Sequence, residues 1–263
     1  CQAEGVRAMP VQSNKDRVVN DPQLQHRNMY TELDHPILGR RKFQNTPFKL
    51  SESPAFNHRH APMIGQHNRE VFEGLLGLSH EELAAGYEDG TFWPANMDRY
   101  DYVDELINAG PLKSDEQPVI QSEPNRSSHA NEAPTDQGPL SGLRVLELSD
   151  EKGQWAGKLI ADLGADVIKI EPPGGESTRS VGPFLDDVPH RERSLSFWHY
   201  NTSKRGITLN LESENGKSFF RELASGADVI IETFDPGYME SLGLGYQDLS
   251  ENNPRLIMSS LTP

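Results

Sequence analysis

The sequence predicts an α/β fold, a parallel sheet flanked by helices, carried mainly by the second half of the chain. Three observations lead there. From Arg144 onward, short aliphatic stretches alternate with amphipathic ones, and strand–helix–strand repetition is the pattern of parallel βαβ units. The motif Gly-Ala-Asp-Val-Ile occurs twice, in "GADVIKIEPPGG" (164–175) and "GADVIIETFDPG" (226–237), and each copy closes in a Pro-Gly turn. The run "KSDEQPVIQSEPNRSSHANEAPTDQG" over 113–138 has linker composition and separates this half from a more mixed first block.

In the first block, 1–112, "TELDHPILGRRKFQNTPFKL" alternates around His-Pro-Ile-Leu-Gly and predicts a β-hairpin. "HNREVFEGLLGLSHEELAAGYEDG" predicts two short helices. Ser79 stands three residues before Glu82, a capping box, and Gly86 ends or interrupts the second helix. "TFWP" and "DRYDYVDEL" lead into the linker.

In the second block, 139–263, strands are expected over 144–148, 166–171, 207–211, 228–233 and 255–260. Between the first two, "QWAGKLIADLG" places Trp155, Leu159, Ile160 and Leu163 at helical spacing, with Gly164 as the cap. "SENGKSFFRELASG" reads as a helix opened by Ser213 and closed by Gly226, and "YQDLSENN" as a short helix. Each Gly-Ala-Asp is then a helix end, its glycine in the left-handed cap conformation, followed by a strand buried on both faces. The Pro-Gly turns fall at the carboxyl ends of parallel strands, where open α/β sheets bind ligands.

A formal net charge of -15, with no basic block, argues against nucleic-acid binding and leaves room only for a local basic pocket. The single cysteine, Cys1, forms no disulfide within the chain, which fits a reducing, cytoplasmic setting. No apolar run approaches the roughly 20 residues of a membrane helix. A lone leading Cys and a final strand, "RLIMSSLTP", that finishes with the chain suggest a piece of something longer. The turn "SDEKGQWAG" lacks G-x-G-x-x-G and there is no P-loop, so a nicotinamide enzyme is not expected. His58 and His60 have no cysteine or nearby carboxylate to complete a metal site, and His67 is expected to cap a helix. No catalytic constellation is evident. The most suggestive stretch is "YNTSKRGITLNL": Asn201, Lys204 and Arg205 in one loop suit phosphate recognition, although a solvated loop reads equally well.

Together, "GPLSGLRVLELSDEKGQWAGKLIADLGADVIKIEPPGGESTRSVGPF" and "NTSKRGITLNLESENGKSFFRELASGADVIIETFDPGYMESLGLGYQDLSENNPRLIMSS" closely resemble the amino-terminal part of the class III CoA-transferases, the CaiB/BaiF or formyl-CoA transferase family. In the first block, "GVRAMPVQSNKDRVVNDPQL", "ELDHPILGRRKF", "FKLSESP" and "APMIGQHNREVFEGLLGLSHEELAAGYEDG" resemble the closing segment of the same family. The resemblance implies a carboxyl-terminal segment of one unit (1–112), a flexible linker (113–138) and the amino-terminal CoA-binding segment of a second unit (139–263), either a fragment of a tandem two-copy member or a circular permutation.

The resemblance further implies a Rossmann-like large domain built from both ends of a family unit. It also implies an interlocked dimer, or a pseudo-dimer with a second unit of the same or another chain. The implied substrates are acyl-CoA and a small carboxylic acid, with no permanently bound cofactor. The implied chemistry is covalent: an aspartate attacks the thioester, and anhydride and aspartyl-CoA intermediates follow. That aspartate would lie beyond the last strand present here. The implied CoA contacts are Lys152, Gly153 and Gln154 after the first strand; Asn201, Lys204 and Arg205; and Thr233 and Phe234 after the fourth strand. Relatives usually read Ala-Gly-Pro at the first of these, Asn in place of Thr233 and Arg in place of Ser241. The alternative expectation is therefore a non-catalytic structural copy within a tandem protein.

Overall fold

The structure, a computed structural model, describes residues 2–8, 11–93 and 138–262. Residues 113–137 of the expected linker and the stretch "DRYDYVDEL" lie outside these.

Helix α1 (Pro22–His26) leads to strands β1 (Tyr30–His35) and β2 (Gly39–Gln44), the expected antiparallel hairpin. Helices α2 (Asn68–Phe72) and α3 (His80–Glu88) follow. Ser79 and Glu82 form the reciprocal capping box that their spacing predicts. The second block runs β3 (Arg144–Leu148), α4 (Gln154–Asp162), β4 (Asp166–Glu171), α5 (Leu195–Tyr200), β5 (Arg205–Thr208), α6 (Glu214–Ser225), β6 (Val229–Glu232), α7 (Tyr238–Ser241), α8 (Tyr246–Ser250) and β7 (Ile257–Ser260). Strand β5 starts earlier and ends sooner than expected. Leu209 still donates to Glu171 O, but Asn210 then turns away to Thr91 O in the first block.

All five strands from β3 to β7 are parallel, in the order β5-β4-β3-β6-β7. The chain runs outward from β3 through β4 to β5, then returns to place β6 on the other flank of β3. The order therefore reverses between β3 and β6. In such Rossmann-like sheets the carboxyl-end crevice at that reversal is the ligand position.

The two Gly-Ala-Asp copies are not equivalent. Gly164 has φ +98 and packs so closely that a Cβ would lie 2.9 Å from Gly138 Cα. Gly226 has φ -103, so the expected left-handed cap is absent there and no backbone strain demands glycine. The aspartates have a shared partner: Arg144 donates its N–H to Asp228 and its Nε to Asp166, tying both copies together at the amino edge of the sheet.

The two faces of the sheet differ. Leu146, Leu148, Ile168, Ile170, Ile207 and Ile230 point to an aliphatic core closed by α6 and by Val71, Phe72, Leu83 and Phe92 of the first block. On the α4 face the alternate residues are Val145, Val167 and Ile231, with charged Glu147, Lys169 and Glu171 toward the carboxyl ends. The blocks are also joined through backbone. His67 N–H donates to Gly206 O, Gly206 N–H to His67 Nδ1, and Thr208 N–H to Asn68 Oδ1. Residues 67 and 68 thus cover the free edge of β5, which otherwise would present unpaired N–H groups. His67 has no capping bond to α2 as expected; its ring is spent on this edge.

Candidate ligand-binding site

At the reversal point, the loop after β3 (149–153) meets the turn after β6. Asp150 N–H donates to Thr233 Oγ1 at 3.0 Å. Gly153 lies against both: a Cβ there would sit 2.8 Å from Ser149 Cβ and 2.9 Å from Thr233 Cγ2, so only glycine permits this approach. The amino end of α4 opens at this loop, a position that favours anions. Lys152 is on the surface and pairs with Asp150 at 3.2 Å. Phe234 packs on Tyr238, ring centroids 4.7 Å apart, at the turn closed by Gly237, which has φ +89. Because β4 and β6 flank β3, the two Pro-Gly turns stand on either side of the loop after β3.

Beneath the loop lies a buried ionic cluster that the sequence analysis did not identify. Glu147 takes Lys204 Nζ at 2.7 Å and Lys169 Nζ at 3.3 Å, and none of the three side chains reaches solvent. Lys169 also donates to Ser149 O at 2.7 Å, and Lys204 to Gln154 O at 2.9 Å and Asn201 Oδ1 at 2.8 Å. The loop from 149 to 154 is therefore pinned at both ends by ammonium groups that share one carboxylate. Burial alone would raise the Glu147 carboxyl, but Lys204 and Lys169 overcome it and hold it below its ordinary value. Burial pushes Lys204 down to about 8 against the pull of Glu147.

Of the eight residues expected to contact CoA, four stand where the loop after β3 meets the turn after β6: Lys152, Gly153, Thr233 and Phe234. Gln154 turns inward, its Oε1 accepting from Asn201 Nδ2 at 3.0 Å. The expectation of a phosphate-binding loop at Asn201, Lys204 and Arg205 meets a different arrangement. Asn201 and Lys204 are buried beneath this junction and hydrogen-bond to groups inside the protein. Arg205 points to the opposite edge, pairing with Asp166 at 2.5 Å and Glu70 at 3.1 Å. Adjacent residues at the start of a strand face opposite ways, so these two cations cannot share a ligand.

The helix over the cluster also differs from expectation. Trp155, expected inward, is 36% exposed, whereas Gln154, Lys158 and Asp162 are buried. Lys158 Nζ donates to Asp162 Oδ2 at 2.8 Å and to Asn57 Oδ1 and Thr202 Oγ1, so the first block completes its coordination. Gly157 lets α4 settle on Glu147. A Cβ there would fall 2.6 Å from Glu147 Cδ. Gly157→Ala should gain up to about 1 kcal/mol from helix propensity yet lose about 1–3 kcal/mol to overpacking. Urea unfolding should show net destabilisation, and a stabilised variant would contradict this packing.

Acid should loosen the same region. Glu147, Glu171 and Asp166 are each held below their ordinary values: burial opposes this, and the cations Lys204 and Lys169, Arg179, and Arg205 with Arg144 overcome it. A carboxylate with a depressed folded pKa contributes stability that is complete above its unfolded pKa and is lost as pH falls through the folded one. The urea midpoint should hold above pH of about 5 and decline below about 4. A midpoint unchanged down to that acidity would show that these carboxylates are not stabilised by folding.

A five-stranded parallel sheet with flanking helices and a loop braced at its reversal point defines a Rossmann-like α/β protein. The CoA-transferase family III model matches residues 1–68 and 140–263, and the chain belongs to that family. Among similar proteins, succinyl-CoA:(R)-benzylsuccinate CoA-transferase subunit BbsE of Thauera aromatica is 45% identical over 124 residues, covering 47% of this chain and 30% of that protein. Acetyl-CoA:oxalate CoA-transferase of Acetobacter aceti is 43% identical over 125 residues, covering 47% and 31%. Two solved structures are also similar. Rv3272 from M. tuberculosis has 41% identity, a TM-score of 0.44 and coverage of 48% of this chain and 35% of that one. A CAIB/BAIF family protein from Brucella suis has 43% identity, a TM-score of 0.43 and coverage of 47% and 33%. The chain thus spans about a third of the length of the curated relatives it matches. Among the described residues, no helix is long and apolar enough to cross a membrane.

Proposed function

We propose that this chain is the CoA-binding portion of a CoA-transferase that moves CoA from an acyl-CoA to a free carboxylic acid. The exchange runs through an aspartyl-CoA intermediate whose aspartate lies outside these 263 residues. The observation that supports this reading is the junction of the loop after β3 with the turn after β6, which places Lys152, Gly153, Thr233 and Phe234 at the carboxyl ends of the strands at the sheet's reversal point. Lys152 contacts the phosphates from the rim. Gln154, Asn201 and Lys204 hold the wall from within, and Arg205 serves the far edge of the sheet rather than the ligand. Residues 1–112 and 139–263 are segments of two family units joined by residues 113–138, a reading supported by two separate family-matching stretches. A second unit completes an interlocked dimer or pseudo-dimer.

The test is calorimetric titration with CoA. Lys152→Ala should weaken binding about tenfold, the worth of one partly screened charge-assisted bond. Arg221→Ala on α6, whose guanidinium donates to Gly243 O away from this junction, should leave affinity unchanged. Absence of CoA binding by the unaltered protein, or equal losses in the two variants, would remove the junction from the reading.

A further inference from the structure

A concavity of about 290 Å³ opens between residues 14–18, the β1–β2 hairpin and α5. It shares no residue with the junction described above. Its wall carries two cations, Arg17 and Lys42, and four rings, Tyr30, Phe43, Trp198 and His199. No lining residue is acidic, in a chain whose net charge is -15. Among the described residues neither cation forms an ion pair; the one protein acceptor near Lys42 Nζ is Val18 O at 3.4 Å. Although Glu32 stands opposite Lys42 in the hairpin, no carboxylate reaches the wall itself, so the two unpaired cations are free to meet an anion there.

Trp198 adds a second observation. It is 2% exposed, and its indole N–H has no acceptor in the protein. Its ring lies 4.2 Å from that of His35. His35 Nδ1 accepts from the N–H groups of Ile37 and Leu38, which puts the ring hydrogen on Nε2, and that donor too is buried without an acceptor. Both donors are closed off from solvent and lie behind the wall, so what Trp198 offers the concavity is ring surface. The volume is at the lower end for a ligand cavity, too small for a nucleotide but enough for one ring and a carboxyl group.

We propose that this concavity binds a small aromatic monocarboxylate, with its carboxylate between Arg17 and Lys42 and its ring against Trp198 and Tyr30. Charge recognition comes from the two cations, and shape recognition from the aromatic wall. A bare oxyanion would use the first and forgo the second.

The experiment titrates benzoate into the uniformly ¹⁵N-labelled chain and follows the indole N–H signals of its tryptophans, assigned through Trp93→Phe and Trp155→Phe. Benzoate should move the Trp198 signal in a saturable way. Benzamide, neutral and of nearly the same shape, should bind about tenfold more weakly, as should benzoate to the double variant Arg17→Gln/Lys42→Gln. Both substituted side chains are exposed, so the spectrum of the free variant should remain that of the folded protein. The proposal fails if Trp198 does not respond, if the response is confined to Trp155, or if benzamide binds as tightly as benzoate. Inorganic phosphate displacing benzoate at equal concentration would likewise overturn it, because the aromatic wall would then contribute nothing.

Discussion

Replacing Arg179 with lysine is expected to cost about 3–5 kcal/mol of stability, the range for breaking a buried ion pair. Arg179 follows β4 in a short 3-10 turn and is fully buried. Its Nε and Nη2 donate to both oxygens of Glu171, at 2.6 and 2.8 Å. Nη1 donates to Glu192 at 2.7 Å and Nη2 to Pro62 O at 2.9 Å, while the guanidinium stands 3.8 Å over the ring of Phe197. One planar group therefore ties β4, the loop before α5 and the first block together. Gly175, at φ +90, makes room: a Cβ there would meet Arg179 Cδ at 2.7 Å. A lysine ammonium is a point charge that cannot fork onto Glu171 while reaching Glu192 and Pro62. The urea midpoint should fall with the slope unchanged, and a lysine variant as stable as the parent would refute the assignment. The partners should rank as well. Burial raises the Glu192 carboxyl above its ordinary value, with Glu171 adding to it, and Arg179 only partly offsets this. Glu171 is instead held down by Arg179, so Glu171→Gln should cost more than Glu192→Gln.

What the sequence makes legible is local. The capping box at Ser79 and the hairpin around Pro36 depend on residues within a few positions of one another, and both appear as expected. The strands at Arg144–Leu148 and Asp166–Glu171 match because aliphatic runs bounded by glycine leave little freedom. The orientation of α4 was not legible by the same rule. Periodicity assumes that a helix buries its apolar stripe, but Lys158 and Asp162 pair with each other and find buried partners in Asn57, Thr202 and Ser203, so they face inward and Trp155 outward. A signal was nonetheless present. Glu147 and Lys169 are each the fourth residue of a predicted strand, and parallel register sets them side by side. A charge inside a strand buried on both faces demands such a partner. The pair Lys204-Arg205 shows a related limit of pattern, since neighbours in sequence at the start of a strand face opposite ways. The first Gly-Ala-Asp marks a helix end in the sequence, yet its Asp166 is also the partner of Arg205.

Lys204→Met is expected to destabilise the protein by a similar amount, about 3–5 kcal/mol, and to do so whether or not ligand is present. Methionine fills much of the same space, so the loss comes from the partners left behind. Glu147 would keep Lys169 at 3.3 Å and Ser149 Oγ at 2.7 Å but lose its nearest cation. Gln154 O and Asn201 Oδ1 would each lose an ammonium donor in a place without solvent. The double variant Glu147→Leu/Lys204→Met separates the desolvation of an abandoned charge from the worth of the pair. It should recover part of the loss, because removing both partners of a buried pair is often far less costly than removing one. Recovery should be incomplete, since Lys169 would then lack its principal carboxylate and keep Glu176 at 3.6 Å. Had Lys204 been a surface contact to phosphate, its removal would lower CoA affinity and leave unfolding nearly untouched. Urea unfolding of the single and double variants without CoA therefore decides between a bracing and a ligand-contacting lysine. An unchanged midpoint in Lys204→Met would return Lys204 to the ligand, and a double variant no more stable than the single one would show that the stranded Glu147 charge is not the main cost.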